Sequence, residues 1–93
     1  MNIFSSLQVY AGKWMVKAVR AFSQEEQDAV ESATVVSSQY GNSVCFMMKS
    51  GGQTFIPLDQ SSSLGVGEKV DLSKAELVTL EKSGEADIHR VRI

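Results

Sequence analysis

Only one cysteine (Cys45), one proline (Pro57) and one histidine (His89) occur among the 93 residues, and each scarcity removes a class of protein from consideration. A lone thiol closes no intrachain disulfide and suits a reducing compartment, so the cytoplasm is the expected location. One His and one Cys, without ligand-spaced acids, do not make a zinc-type site, so neither a metal nor any other cofactor is expected. Nowhere do eighteen apolar residues run together, and the opening MNIFSSLQVYAGKW lacks a basic segment followed by an apolar one. Neither a membrane span nor an export signal is expected. The interior also lacks a Pro/Gly-rich or charge-rich linker, which leaves one domain over residues 1–93.

What is present is an ordinary globular composition, 43% apolar and 22% charged. At this length that builds one core with little margin, and oligomerisation, for instance as a homodimer, would add stability. The net charge of −2 disfavours any partner that binds by bulk electrostatics alone, but the distribution is uneven. Residues 1–22 carry Lys13, Lys17 and Arg20 and no acid, residues 23–33 carry Glu25, Glu26, Asp28 and Glu31 and no base, and the last two cations are Arg90 and Arg92.

Residues 1–12 are weakly patterned and fit either a short strand or a loosely attached arm. The segment KWMVKAVRAF places Trp14, Val16, Ala18 and Phe22 on one side of a strand, or Met15, Ala18, Val19 and Phe22 along a helix. Its aromatic and β-branched content favours the strand, as does the helix start that follows it. There Ser23 and Glu26 form a capping-box pair, and a short helix is expected over Gln24 to Ala33. From Thr34 the runs TVVSSQY, SVCFMMK and QTFIPL, separated by Gly41-Asn42 and Ser50-Gly51-Gly52, predict a three-stranded meander. Val44, Phe46 and Met48 share one face of the second run and Cys45 and Met47 the other, so that strand is expected to be central. Pro57 belongs at an edge, a bulge or a strand end. KVDLSKAELVTLEK reads as a long strand with a bend near Ser73 to Ala75, and Ser83-Gly84-Glu85 turns it into DIHRVRI, where Arg90 and Arg92 point the same way. The expected fold is mainly β: a small OB-like barrel or a curled antiparallel sheet of five to six strands with one short helix.

A meander, an irregular link and a final two-stranded hairpin over residues 34–93 resemble the layout of small single-stranded-DNA-binding proteins of phages and their bacterial relatives. The stretch LGVGEKVDLSKAELVTLEKSGEADIHRVRI is similar to the loop, long strand and basic last strand of those proteins. In that family the helix follows the third strand, whereas here it precedes the meander. The resemblance implies a binding groove and non-catalytic binding of single-stranded DNA, in replication or recombination of a phage or mobile element. It assigns no contact residue.

A single strand is held by rings on which bases stack and by cations that follow the phosphates. The residues able to do this are Trp14 beside Lys13, Lys17 and Arg20, Tyr40 at the Tyr40-Gly41-Asn42 turn, Phe55 near Lys49, and the Arg90 and Arg92 pair. The competing reading makes Trp14, Phe46 and Phe55 core residues and the arginines a solvated strand face. Gly65 and Gly67 lack the following Lys-Ser/Thr of a phosphate-binding loop and suit a tight turn. Cys45 and His89 are the only nucleophile and base of the usual catalytic kind, and a cysteine between Val44 and Phe46 is expected to be buried, so no enzymatic activity is expected. The alternative function is a protein–protein adaptor or homo-oligomeric structural module that uses Phe46, Met47, Met48 and Phe55 as an apolar patch or the acidic helix as a docking face. What separates the two is whether Lys49, Arg90 and Arg92 line one groove together with exposed rings, as nucleic-acid binding requires, or are scattered or paired with Glu76, Glu81 and Asp87, as the adaptor allows.

Overall fold

A computed structural model describes residues 14–39 and 41–93; the expectations for residues 1–12, for Lys13 and for Tyr40 lie outside the described residues. In chain order the elements are β1 (Met15–Ala21), α1 (Gln24–Ala29), β2 (Val30–Ser38), β3 (Gly41–Met48), β4 (Gln53–Pro57), β5 (Glu76–Glu81) and β6 (Ile88–Arg92). They form two three-stranded antiparallel sheets, ordered β1-β5-β6 and β2-β3-β4. The molecule is thus mainly β with one short helix, as the spacing of turn residues predicts.

The helix is shorter than its sequence pattern suggests. Ser23 caps it as expected, its hydroxyl accepting from the Glu26 amide while the Glu26 carboxylate accepts from the Ser23 amide at 2.9 Å. It ends at Ala29, because Val30 turns extended and begins β2. A helix of six residues has few hydrogen bonds to defend its last turn, whereas Val30 to Ser38 gain a ladder along β3 and β-branched packing from Val30, Thr34, Val35 and Val36. The Lys49 amide donates to the freed Ala29 carbonyl at 3.0 Å.

A second departure lies between Val70 and Ala75. The expected long strand is broken by Asp71, which accepts from both the amide and the hydroxyl of Ser73 at 3.0 and 2.6 Å, an Asx-type turn that competes with strand pairing. Residues ahead of that turn lie along the outer edge of β2: the Val35 amide donates to the Glu68 carbonyl at 2.9 Å, the Val35 carbonyl accepts from the Gly67 amide at 2.8 Å, and Lys69 stands opposite Thr34. In β1 the register shifts between Val16 and Ala18, so the simple alternation expected from Trp14 to Phe22 is reset by a bulge.

Both sheets turn one face to a shared core of Val35, Val44, Phe46, Leu77 and Val91, closed by Phe22 from the β1–α1 corner, whose ring stands 5.9 Å from that of Phe46. The sheets meet along one seam: Leu58 bridges Val91 in parallel, and the Asp59 amide donates to the Val91 carbonyl at 2.7 Å. Strand neighbours therefore run β1-β5-β6-β4-β3-β2 around a curled structure. β3 is central, as expected from its two apolar faces, and Pro57 ends β4, where its missing N–H costs no ladder bond.

Candidate single-strand interface

The face of β2-β3-β4 turned away from the core follows from the register. Thr34 lies opposite Cys45, Cys45 opposite Phe55, and Thr34 also opposite Lys69. Directly opposed residues project to the same side, so Lys69, Thr34, Cys45 and Phe55 form one row across the sheet, roughly 14 Å from end to end at the usual strand spacing. The middle of the row is closed, with Cys45 only 9% exposed, while its ends are open: the Phe55 ring is 56% exposed and Lys69 is exposed. Flanking rows are Ser32, Met47 and Gln53 on one side and Val36, Ser43 and Pro57 on the other. The Gln53 amide reaches the Met47 sulfur at 3.1 Å. A platform of mixed polarity results, with an exposed aromatic edge at Phe55.

Lys49 sits at the end of this platform, in the turn that joins β3 to β4. Gly51 takes φ +101° there, a conformation that side chains resist, and its amide donates to the Met48 carbonyl at 2.8 Å. The tight turn leaves Lys49 exposed.

The other sequence-predicted residues are distributed differently. Lys17 and Arg92 are bound to acids: Lys17 Nζ to Asp87 at 2.8 Å and Arg92 Nη2 to Glu76 at 2.9 Å. Asp87 raises the Lys17 ammonium above its ordinary value, chiefly through that hydrogen bond. Trp14 is half-buried ahead of β1, with Lys82 Nζ 5.9 Å from its ring centroid. Phe46, by contrast, is a core residue, so the rings divide between platform and core instead of sharing one role. The structure brings Phe55 and Lys49 to the β2-β3-β4 side, sets Lys17, Arg90 and Arg92 on the other sheet with Trp14 just ahead of it, and adds Lys69; Lys49, Arg90 and Arg92 therefore do not line one groove, and Arg92 pairs with Glu76, the outcome expected of the adaptor.

Arg90 has no carboxylate within ion-pair distance. Its Nε–H is sealed from solvent and finds no acceptor among the described residues, and Arg90 lines a cleft of about 330 Å³ with Gly41, Asn42, Pro57, Asp59, Gln60 and Ser62. Asp59 is occupied elsewhere: its carboxylate accepts from the Ser61 amide at 3.2 Å and from the Ser61 hydroxyl. Those bonds first, with the charges of Arg90 and Arg92 after them, hold Asp59 below the usual carboxylate range. Among the described residues Lys49, Lys69, Lys74 and Arg90 are the cations without an ion pair, against Lys17, Arg20, Lys82 and Arg92 with one.

A second depression, about 410 Å³, lies between α1 and the β2-β3-β4 sheet, is lined by Phe22, Val30, Phe46, Met48 and Ile56, and carries Glu25 and Glu26 at its rim. Its charge would repel phosphate. Cys45 and His89 stand on different sheets, with the His89 ring bonded to the Thr79 hydroxyl at 3.1 Å. Among the described residues no three His, Cys, Asp or Glu side chains gather as a metal site would require, and no helix is long and apolar enough to cross a membrane.

Lys69 is the residue that sequence reading missed. Its signal was the pairing of the Gly67–Val70 segment with β2, which no local pattern announces. Set against protein-family models, curated proteins and solved structures, the chain matches none of them, so its fold and its exposed platform stand on their own geometry.

Proposed function

We propose that this protein binds single-stranded DNA without catalysis, on the outer face of β2-β3-β4. The observation that carries the reading is the Phe55 ring: an aromatic 56% exposed on a rigid strand, in one row with Lys69 and one turn away from Lys49, neither of which is engaged by an acid. Bases stack on exposed rings irrespective of sequence, and unpaired cations at the margins follow the phosphates. Two further features support it. OB-type barrels are partly open Greek-key structures that bind oligonucleotides on the face of their second and third strands. With β1 and β2 counted as one bent first strand interrupted by α1, those strands are β3 and β4, and Phe55 stands on β4. A net charge of −2 is no obstacle, because many of the acids lie away from the platform, on α1 and in ion pairs of the β1-β5-β6 sheet.

The deciding experiment is fluorescence anisotropy of labelled oligo-dT titrated with the protein at two salt concentrations, with duplex DNA as control. Salt-sensitive binding that prefers the single strand supports the reading; no binding at low salt removes it.

A second reading, self-association, rests on β1. Met15 and Val16 are 68% and 62% exposed, and β1 is an edge of its sheet among the described strands. An exposed apolar edge is a template for pairing with another copy. Sedimentation at increasing protein concentration separates this reading from the first.

A further inference from the structure

We infer that the Arg90 cleft seats one phosphoryl oxyanion of a nucleotide chain. A buried donor without an acceptor is costly, and native structures leave few of them unexplained. The Arg90 Nε is such a donor, and among the described residues its guanidinium makes no protein hydrogen bond. Nε alone among the Arg90 nitrogens is both sealed and without a partner, and the residue that carries this guanidinium fork lines the cleft. A phosphoryl group matches that fork, and a small rotation of the side chain would give Nε an acceptor as well. Asn42, Gln60 and Ser62 add amide and hydroxyl donors around the same space.

Asp59 is the obvious rival partner for Arg90. Its oxygens are instead turned to Ser61, and no Asp59–Arg90 ion pair forms. It makes the cleft discriminating, since an anion must outcompete a nearby carboxylate by geometry and not by charge alone.

The seat lies where the platform ends. Pro57 follows Phe55 on the same face of β4, about 7 Å along the strand, and also lines the cleft. In this respect the inference rests on the single-strand reading: a chain stacked on Phe55 and running towards Pro57 arrives at Arg90.

The test uses three probes, inorganic phosphate, oligo-dT and 5′-phosphorylated oligo-dT, read through the Arg90 Nε–Hε resonance by NMR and through anisotropy. Phosphate is expected to move that resonance saturably, Arg90→Lys to weaken oligo-dT binding roughly tenfold, and Asp59→Asn to strengthen it by about threefold. A shift with both oligonucleotides identifies an internal phosphodiester as the occupant, and one confined to inorganic phosphate and the 5′-phosphorylated strand identifies a terminal monoester; either supports the seat. Should oligo-dT bind, and bind less well to Phe55→Ala, while Arg90→Lys matches the wild type and the resonance stays still, the seat is overturned and the single-strand reading survives. Should phosphate move the resonance while neither oligonucleotide binds, the cleft takes a free anion and no nucleotide chain, and the seat falls together with the single-strand reading. The wild-type spectrum decides even if a variant does not fold.

Discussion

Glu26 receives both terminal nitrogens of Arg20, at 2.7 and 2.9 Å, while the oxygen that takes the shorter bond also accepts from the Ser23 amide at 2.9 Å. One carboxylate thereby joins the end of β1 to the cap of α1 at the corner where the chain passes from one sheet to the other. The Arg20 hydrogen bond first, and the Ser23 amide second, hold the Glu26 carboxyl down to about 2 from an ordinary 4.5. A depressed carboxyl stabilises the fold fully above the unfolded value and loses that contribution as pH falls towards the folded one. Melting temperature followed by circular dichroism should therefore fall more steeply between pH 4.5 and 2 for the wild type than for Glu26→Gln. At neutral pH the variant should lose only about 0.5–1 kcal/mol, since glutamine still serves the capping box and the ion pair is partly solvated.

Phe55 stands outside the core, so Phe55→Ala should leave the melting temperature within about 2 °C of wild type. Its affinity for oligo-dT should nevertheless fall by the roughly 1–3 kcal/mol that one stacked base contributes. Loss of affinity together with loss of stability would instead mark Phe55 as structural.

Lys49 and Lys69 should appear in the salt dependence. Removing two phosphate contacts from a single-strand complex lowers the slope of log K against log salt by about 1.4. The double variant Lys49→Ala/Lys69→Ala is expected to show that change, and Lys17→Ala, whose ammonium is already held by Asp87 at 2.8 Å, is expected to show almost none. Equal slopes for the two variants would place the phosphates elsewhere.

Val91 is fully buried and sits at the seam, opposite Leu77 in its own sheet and bridged to Leu58 from the other. Val91→Ala should cost about 2–3 kcal/mol, the removed methyl groups plus the cavity they leave, and lower the melting point by about 10 °C or more in a chain of this size. Thermal denaturation reads this directly.

Turns were the legible part of the sequence. Gly41, Gly51 and Gly84 all adopt positive φ at hairpins that their neighbours had marked, and Ser23 with Glu26 announced the helix start from two side chains three positions apart in the chain. Where the helix stopped was not legible, because Val30 and Ala33 are acceptable in a helix and their pairing with Met48 and Phe46 is a tertiary fact. The same reason concealed Lys69 and split the cations: whether Arg92 is free depends on Glu76 opposite it in β5, and whether Arg90 is free depends on Asp59 turning to Ser61. Periodicity places a charge on a face, but it does not say which partner the facing strand supplies.

The long reach of β1 has a consequence for how the chain assembles. β2, β3 and β4 zip through adjacent turns, and β5 and β6 through another, whereas β1 must wait for β5: Ala21 pairs with Glu76 and Met15 with Glu81, more than fifty residues downstream. Closing so large a loop is entropically late, so the strand that leaves the ribosome before the other described strands should be paired after them, with its exposed Met15 and Val16 held open in the meantime. Substitutions in β1 should then accelerate unfolding while leaving the folding rate almost untouched.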